Sequence, residues 1–160
     1  MKKKVYIETT IISYLAARLS KNTIIAGRQV LTQEWWDEYS NPFDLVVSEL
    51  VFQEAGVGDP EVARKRINYI NDLDSLAISD ESVQLAEALV NEGVIPSKCA
   101  EDALHISVCA VNGIDFLLTW NCKHIANAVL RHRIESVIES QNYQCPVICT
   151  PAELMEDHYV

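Results

Sequence analysis

Four oxygen-bearing side chains occupy positions in the sequence where a metal site could form: Glu8, Glu54, Asp102 and Asn121. Glu8 and Asn121 each follow a short apolar run, whereas Glu54 and Asp102 lie in segments with helical spacing. Three carboxylates and a carboxamide form the oxygen-rich ligand set that hard cations such as Mg²⁺ or Mn²⁺ prefer. Cations there could hold a phosphodiester and activate a water. Taken singly, each acid is equally compatible with a helix cap or an ion pair.

Asp102 needs a compensating charge. It stands with Glu101 at the head of a segment that is otherwise almost wholly apolar on every side and that ends at Asn112-Gly113, so this helix is expected to enter the core. Burying an ionised carboxylate alone costs many kcal/mol. A divalent cation is one candidate for the partner of Asp102.

Short apolar runs that alternate with helical segments position these residues. The predicted strands lie at residues 5–7, 44–48, 76–79, between Asp115 and Thr119, and at 146–149. Such continuous apolar strands are typical of a parallel sheet covered on both faces, which makes the fold class α/β. In open sheets of this kind, ligands bind outside the carboxyl ends of the strands, where the strand order reverses. The four candidate residues are therefore expected to converge there.

Capping residues indicate where several helices begin. Asp59 before a proline predicts a helix that runs to about Asn71, Ser97 is a candidate N-cap of the central helix, and Thr150 with Glu153 forms a capping box. Other helices are predicted at residues 23–39, 49–55, 81–91 and 123–140.

Length and composition predict one globular domain over residues 1–160, with 49% apolar and 22% charged residues. No run of about 18 apolar residues is present, and the basic N-terminus reaches Glu8 after only three apolar residues, too few for a signal-peptide core. We therefore expect a cytoplasmic protein without a membrane association.

The five cysteines include no Cys-x-x-Cys pair, so reduced and mostly buried thiols are expected rather than a disulfide framework. Cys122, His124 and His132 lie close together in the sequence, but their spacing matches no standard zinc pattern.

The formal net charge of −10 argues against a protein that coats nucleic acid through a basic surface. A metal-dependent nuclease remains compatible with it, since such an enzyme concentrates acids in its site and needs only a local basic rim. Basic residues at four places could supply that rim or could simply be solvated: Lys2 to Lys4, Arg64 to Arg66, Lys123, and Arg131 to Arg133.

Four blocks in this order resemble the signature blocks of the PIN-domain family. They are residues 5–15 (VYIETTIISYL), 46–56 (VVSELVFQEAG), 101–106 (EDALHI) and 117–121 (LLTWN), and together they span nearly the whole chain. The resemblance implies a three-layer α/β/α sandwich with a five-stranded parallel sheet. It also implies an Mg²⁺- or Mn²⁺-dependent ribonuclease, with RNA as substrate, of the kind that serves as toxin in VapBC-type pairs. A VapB-like antitoxin and a homodimer are implied in the same way.

Carried onto this sequence, the family's four metal-site positions fall on Glu8, Glu54, Asp102 and Asn121, with Thr9, Thr119 and His105 in supporting roles. Glu49 is the rival of Glu54, but it lacks the match to the second block. His105 is expected to hydrogen-bond to a ligand rather than to act as a base.

Two positions depart from the family's usual aspartates. Glu8 keeps the charge and reaches one methylene further, whereas Asn121 removes one negative charge and keeps a carbonyl ligand. These departures motivate an alternative interpretation, a PIN-like module with weakened catalysis that binds RNA or protein.

Overall fold

Five parallel strands form one sheet in the computed structural model, which describes residues 1–155. The strands are β1 (Lys4–Ile7), β2 (Asp44–Ser48), β3 (Asp74–Leu76), β4 (Phe116–Leu118) and β5 (Val147–Cys149). Their order across the sheet is β3-β2-β1-β4-β5. The chain therefore builds outward from β1 on one side and then returns to add β4 and β5 on the other. The predicted α/β class with a five-stranded parallel sheet is confirmed, while the predicted domain, 1–160, ends outside the described residues.

Seven α-helices within residues 1–155 complete the fold. They are α1 (Thr9–Ala16), α2 (Thr23–Glu34), α3 (Glu49–Ala55), α4 (Pro60–Ile70), α5 (Asp80–Asn91), α6 (Ala100–Val111) and α7 (Ala128–Ser140). Helix α1 packs against α2, α3 and α4, whereas α5 packs against α6 and α7, with the sheet as the middle layer. None of the described helices is long and apolar enough to cross a membrane.

The central strands are apolar because helices cover both of their faces. Val5, Tyr6 and Ile7 of β1 and Leu117 and Leu118 of β4 are fully buried. A strand buried on both sides shows no alternation of apolar and polar residues, which is why these segments appear in the sequence as continuous apolar runs.

Two predicted caps are confirmed. Asp59 accepts hydrogen bonds from the backbone N–H groups of Glu61 (2.9 Å) and Val62 (3.2 Å) at the start of α4. Thr150 and Glu153 form the predicted capping box over a 3₁₀ turn, Pro151–Leu154. Both motifs satisfy backbone donors that have no partner inside the helix.

The predicted third strand, residues 76–79, is wrong, since β3 occupies Asp74–Leu76. This strand lies at the edge of the sheet and pairs only with β2, so Asp74 and Ser75 remain exposed and give no apolar signal. Ser79 serves instead as the N-cap of α5, where its hydroxyl accepts from the Ser82 N–H at 3.2 Å.

Two predicted helix starts are also wrong. The last helix begins at Ala128 and not at residue 123, because the side chain of Asn127 caps it by accepting from the Val129 N–H at 3.0 Å. The central helix begins at Ala100, since a 3₁₀ turn, Ser97–Cys99, separates Ser97 from it and Ser97 does not cap it.

Candidate metal centre

The candidate site lies at the carboxyl ends of β1 and β4, the neighbouring strands at which the chain changes direction across the sheet. Glu8 directly follows β1 and is the N-cap of α1, and its backbone N–H donates to the Leu118 carbonyl at 3.1 Å. Thr119 directly follows β4. The sheet thus brings the end of the first block and the end of the last block together, as expected for a ligand site in this class of fold.

Glu8 is a buried carboxylate with three hydrogen bonds. Only 4% of the residue is exposed. Its Oε1 accepts from the hydroxyls of Thr10 and Thr119, both at 2.5 Å, and its Oε2 accepts from the Thr10 N–H at 3.1 Å. Hydrogen bonds of this number hold a buried charge in one orientation and offset part of its desolvation. Thr119 therefore holds Glu8 through its hydroxyl, and its supporting role in a metal site stays a prediction.

Glu54 reaches the same place from α3. Its Oε1 accepts from the Thr9 hydroxyl at 2.5 Å and from His105 Nε2 at 2.6 Å, while its Oε2 has no hydrogen bond within residues 1–155. Glu8, Glu54 and His105 each offer a ligand atom, and these atoms all lie within 4.8 Å of one another. Two of the predicted acids, far apart in the sequence, are thus neighbours in the fold.

His105 connects the acids to a buried chain of polar groups. The residue is 1% exposed. Its Nε2 meets Glu54, and its Nδ1 lies 2.7 Å from the Tyr6 hydroxyl, which in turn lies 2.8 Å from Ser48 Oγ. The ring is therefore fixed on both sides, as is typical of a histidine that orients a ligating carboxylate.

The charges around His105 and Glu54 favour their ionised forms. Burial lowers the pKa of His105, but the hydrogen bond to Glu54 and the charges of Glu8, Glu54 and Asp102 outweigh burial and raise the pKa above its usual value. Burial raises the pKa of Glu54, yet the bond and charge of His105 and the bond from Thr9 bring it below its usual value. The two side chains thus form an ion pair, in which His105 is buried and the Glu54 side chain is 32% exposed.

Asp102 lies in the first turn of α6 and has a partner that the sequence did not reveal. Its Oδ2 lies 2.8 Å from Nδ1 of His124, 22 residues away along the chain, and its Oδ1 has no hydrogen bond within residues 1–155. Asp102 is close enough to His105 to raise the pKa of that ring. The His124 side chain is only 12% exposed and lies in the turn before α7.

Asn121 lies at the same edge but uses its oxygen locally. Its Oδ1 accepts from the His124 N–H at 3.1 Å, and its own N–H donates to Thr119 Oγ1 at 2.9 Å. The side chain therefore holds the turn that carries His124. Ligation of a cation by Asn121 stays a prediction, as does the ligand set as a whole.

Two other acids have structural roles. Glu49 is exposed and accepts from the Ile78 N–H at 3.3 Å, outside the group formed by Glu8, Glu54 and His105. Asp115 accepts from the Lys4 N–H at 2.8 Å, at the opposite end of β1. Glu49 and Glu54 were the two candidates for the second acidic position, and the geometry favours Glu54.

Sequence reasoning missed three polar residues in and around the site. Thr10 binds Glu8 and also accepts from the Trp120 N–H at 2.8 Å, so it ties α1 to the segment after β4. Tyr6 and Ser48 extend the network behind His105. A tyrosine inside an apolar strand was the available signal, because a buried hydroxyl normally requires a partner.

The donor set fits a hard divalent cation. It combines two neighbouring carboxylates with a third beside them, and each of Glu54 and Asp102 retains one oxygen that makes no hydrogen bond within residues 1–155. Carboxylate oxygens are the ligands that Mg²⁺ and Mn²⁺ prefer, and His105, with both ring nitrogens engaged, would orient Glu54 rather than bind the ion.

The fold is similar to that of a solved structure. A chain in the crystal structure described as VapBC2 from Rickettsia felis, bound to a DNA fragment from their promoter, is similar with a TM-score of 0.57 and 13% sequence identity. The match covers 92% of this chain and 98% of that chain. No protein-family model and no curated protein matches the sequence. The fold is the predicted PIN-like arrangement, and at this identity the similarity shows the fold alone.

The Tyr6→Phe variant tests the network behind the site. Loss of the hydroxyl leaves His105 Nδ1 and Ser48 Oγ without this buried partner, so we expect a loss of about 1–3 kcal/mol in the free energy of unfolding. Urea denaturation measures it. Tyr14→Phe is the matched control, because the half-buried Tyr14 hydroxyl makes no hydrogen bond within residues 1–155. Equal stability of the two variants would contradict the role given to Tyr6.

The Glu54→Gln variant tests the ion pair. The substitution removes the negative charge that strengthens the hydrogen bond to His105 and raises the pKa of that ring. Because burial of the ring lowers the same pKa, we expect the His105 pKa to fall towards or below its usual value in the variant. NMR titration of the His105 ring follows it directly, with His132 as an internal reference in the same spectra. An unchanged or higher pKa of His105 in the variant would show that Glu54 does not set it.

Proposed function

We propose that this chain is an Mg²⁺- or Mn²⁺-dependent endoribonuclease, a VapC-like toxin that hydrolyses phosphodiester bonds of RNA in the cytoplasm. The observation that carries the proposal is the convergence of Glu8, Glu54 and His105, with Asp102 beside them, at the carboxyl edge of a parallel sheet. The fold similarity to the VapBC2 structure supports the same class of protein.

Glu8, Glu54 and Asp102 would hold the cation, with Asn121 contributing its carbonyl directly or through water. A divalent cation in such a site stabilises charge on the phosphoryl group and activates a water for attack. The three hydrogen bonds to Glu8 fix that carboxylate in advance, and Thr9 and His105 orient Glu54. Preorganised ligands of this kind need no rearrangement when charge develops in the transition state.

His105 is a positioning residue in this account. Its Nε2 is occupied by Glu54 and its Nδ1 by Tyr6, so neither nitrogen faces a substrate. The raised pKa keeps the ring positively charged over a wider pH range, which favours an ionised Glu54 beside it. The ring therefore acts on the reaction through the carboxylate that it holds.

RNA must approach a chain of net charge −10, and a local basic rim would guide it. Lys123 is exposed and lies two residues beyond Asn121, so its ammonium group is a candidate for this rim. A phosphate held by Lys123 would lie close to the carboxylates. The contribution of this lysine is expected to weaken as salt screens it.

A VapB-like antitoxin and a second copy of this chain are the proposed partners. The similar crystal structure is of VapBC2 bound to a promoter DNA fragment, which supports an antitoxin for this chain by analogy of fold. The homodimer rests on the resemblance of the sequence blocks to the PIN-domain family.

The second candidate function is a PIN-like module that binds RNA or protein with weakened catalysis. One observation favours it: the Asn121 oxygen is already engaged by the His124 N–H, so the fourth ligand position is both uncharged and in use. A binding module would retain the acidic edge and lose turnover.

Cleavage of structured RNAs, including tRNA, by the purified chain separates the two functions. We expect cleavage with Mg²⁺ or Mn²⁺, none after chelation, and a loss of at least about 100-fold in Asp102→Asn and Glu54→Gln, because each removes a charged ligand. Glu49→Gln is the matched control on α3, and it should cleave as the wild type does, since Glu49 lies outside the site.

Metal-independent cleavage, or cleavage retained in Asp102→Asn, would overturn the nuclease proposal. Binding of the same RNAs without cleavage under either ion would favour the module. A thermal melt of each variant shows whether it is still folded, so that a loss of cleavage can be assigned to the site rather than to unfolding.

A further inference from the structure

A second group of metal-ligating side chains lies beside the acidic site and is chemically different from it. Cys99, Asp102 and His124 each offer one ligand atom, and these atoms all lie within 4.8 Å of one another. The three residues are half-buried, so the group is accessible to an ion from solvent and yet partly shielded from water. Its thiol and imidazole distinguish it from the carboxylates around Glu8.

Three different features of the chain bring these residues together. Cys99 ends the 3₁₀ turn and is the N-cap residue of α6, while Asp102 lies one helical turn further on, so their side chains share one face. His124 lies in the turn after β4. The hydrogen bond from the His124 N–H to the side-chain oxygen of Asn121 stabilises that turn. The ligands are therefore carried by ordered backbone rather than by a loose loop.

The existing contacts are close to what a tetrahedral ion requires. A nitrogen and an oxygen bound to Zn²⁺ at ordinary bond lengths lie about 3.3 Å apart, whereas His124 Nδ1 and Asp102 Oδ2 lie 2.8 Å apart in a hydrogen bond. A small opening of this pair would admit the ion. Cys99 is a free cysteine with no hydrogen bond at its sulfur within residues 1–155, so no protein contact opposes its ligation.

We propose that Cys99, Asp102 and His124 bind Zn²⁺ or another thiophilic divalent cation, with water at the fourth position. Three protein ligands and one open position are common for zinc outside closed structural sites. The thiolate selects against Mg²⁺, which prefers oxygen ligands only. On binding, the Cys99 thiol releases its proton to solvent, and the proton between His124 Nδ1 and Asp102 leaves that position through solvent, so that the ring is protonated only at Nε2. Two bonds to the cation, one from Nδ1 and one from the Asp102 carboxylate, then replace the hydrogen bond.

Asp102 belongs to both groups, and this gives the second site a consequence. An ion held by Cys99, Asp102 and His124 engages the carboxylate that the first site also requires. Occupancy by Zn²⁺ therefore weakens binding of Mn²⁺ at the first site. This consequence rests on the proposed function, whereas the thiophilic site itself does not.

Titration of the purified full chain with Co²⁺ tests the site, since a thiolate bound to Co²⁺ gives a charge-transfer band in the near ultraviolet. We expect the band at about one equivalent in the wild type, its loss in Cys99→Ser, and an affinity at least about 10-fold lower in Cys99→Ser and in His124→Gln. Cys122→Ser is the matched control, because Cys122 is exposed and lies near His124 in sequence but outside the group.

No band in the wild type with excess Co²⁺ would overturn the site, and so would a band that Cys122→Ser loses and Cys99→Ser keeps. His124→Gln supplies an independent loss of affinity if Cys99→Ser fails to fold in a metal-free melt. For the shared aspartate, one equivalent of Zn²⁺ should lower the Mn²⁺ affinity of the wild type at least about 10-fold but not that of Cys99→Ser.

Equal Mn²⁺ affinity with and without Zn²⁺ would overturn the competition alone. A zinc-free chain that binds no Mn²⁺ would overturn the competition together with the metal requirement of the proposed function. The Co²⁺ band would still establish the thiophilic site in both cases, so the two failures are distinguishable.

Discussion

The charge of Glu8, buried at the end of the first strand, is the constraint on which the rest of the site depends. A carboxylate in that position is tolerable only if hydrogen-bond donors surround it. Thr10 supplies two of these donors and Thr119 the third. Because Thr119 follows β4, the bond also fixes the position of β4 and of the segment that leads to Asn121 relative to β1. One buried charge therefore specifies how both halves of the site are placed.

Each of the other two acids is paired with a histidine. Glu54 pairs with His105, and Asp102 pairs with His124. His105, whose pKa is raised by the surrounding carboxylates, offsets part of the negative charge at this edge of the sheet, and His124 provides Asp102 with a hydrogen bond. They differ in setting, since His105 is fully buried within a network of Tyr6 and Ser48, whereas His124 lies in a turn beside Cys99. The pair that contains the buried His105 maintains the geometry, and the pair that contains the half-buried His124 is the one that the proposed second cation would rearrange.

The sequence was informative where a residue's role follows from its own element. Glu8 directly follows an apolar strand and Glu54 lies on the helix after the second strand, so the parallel sheet predicts that these two elements meet at one edge. The choice of Glu54 over Glu49 came from the resemblance of the second block to the PIN-domain family. The same local logic failed for β3, because an edge strand with one neighbour need not be apolar. It also failed for Asp102, whose partner His124 is 22 residues away and is positioned by the Asn121 side chain. Contacts of that kind depend on tertiary packing and have no local signature.

The central claim is that the edge formed by Glu8, Glu54 and Asp102 is a site for a hard divalent cation. Diffraction from crystals grown with Mn²⁺ tests it most directly, because the anomalous signal locates the ion independently of activity. We expect a peak within bonding distance of Glu54 and Asp102 oxygens and next to Glu8, and no such peak in crystals of Asp102→Asn. A peak elsewhere on the surface, or none at this edge, would contradict the account.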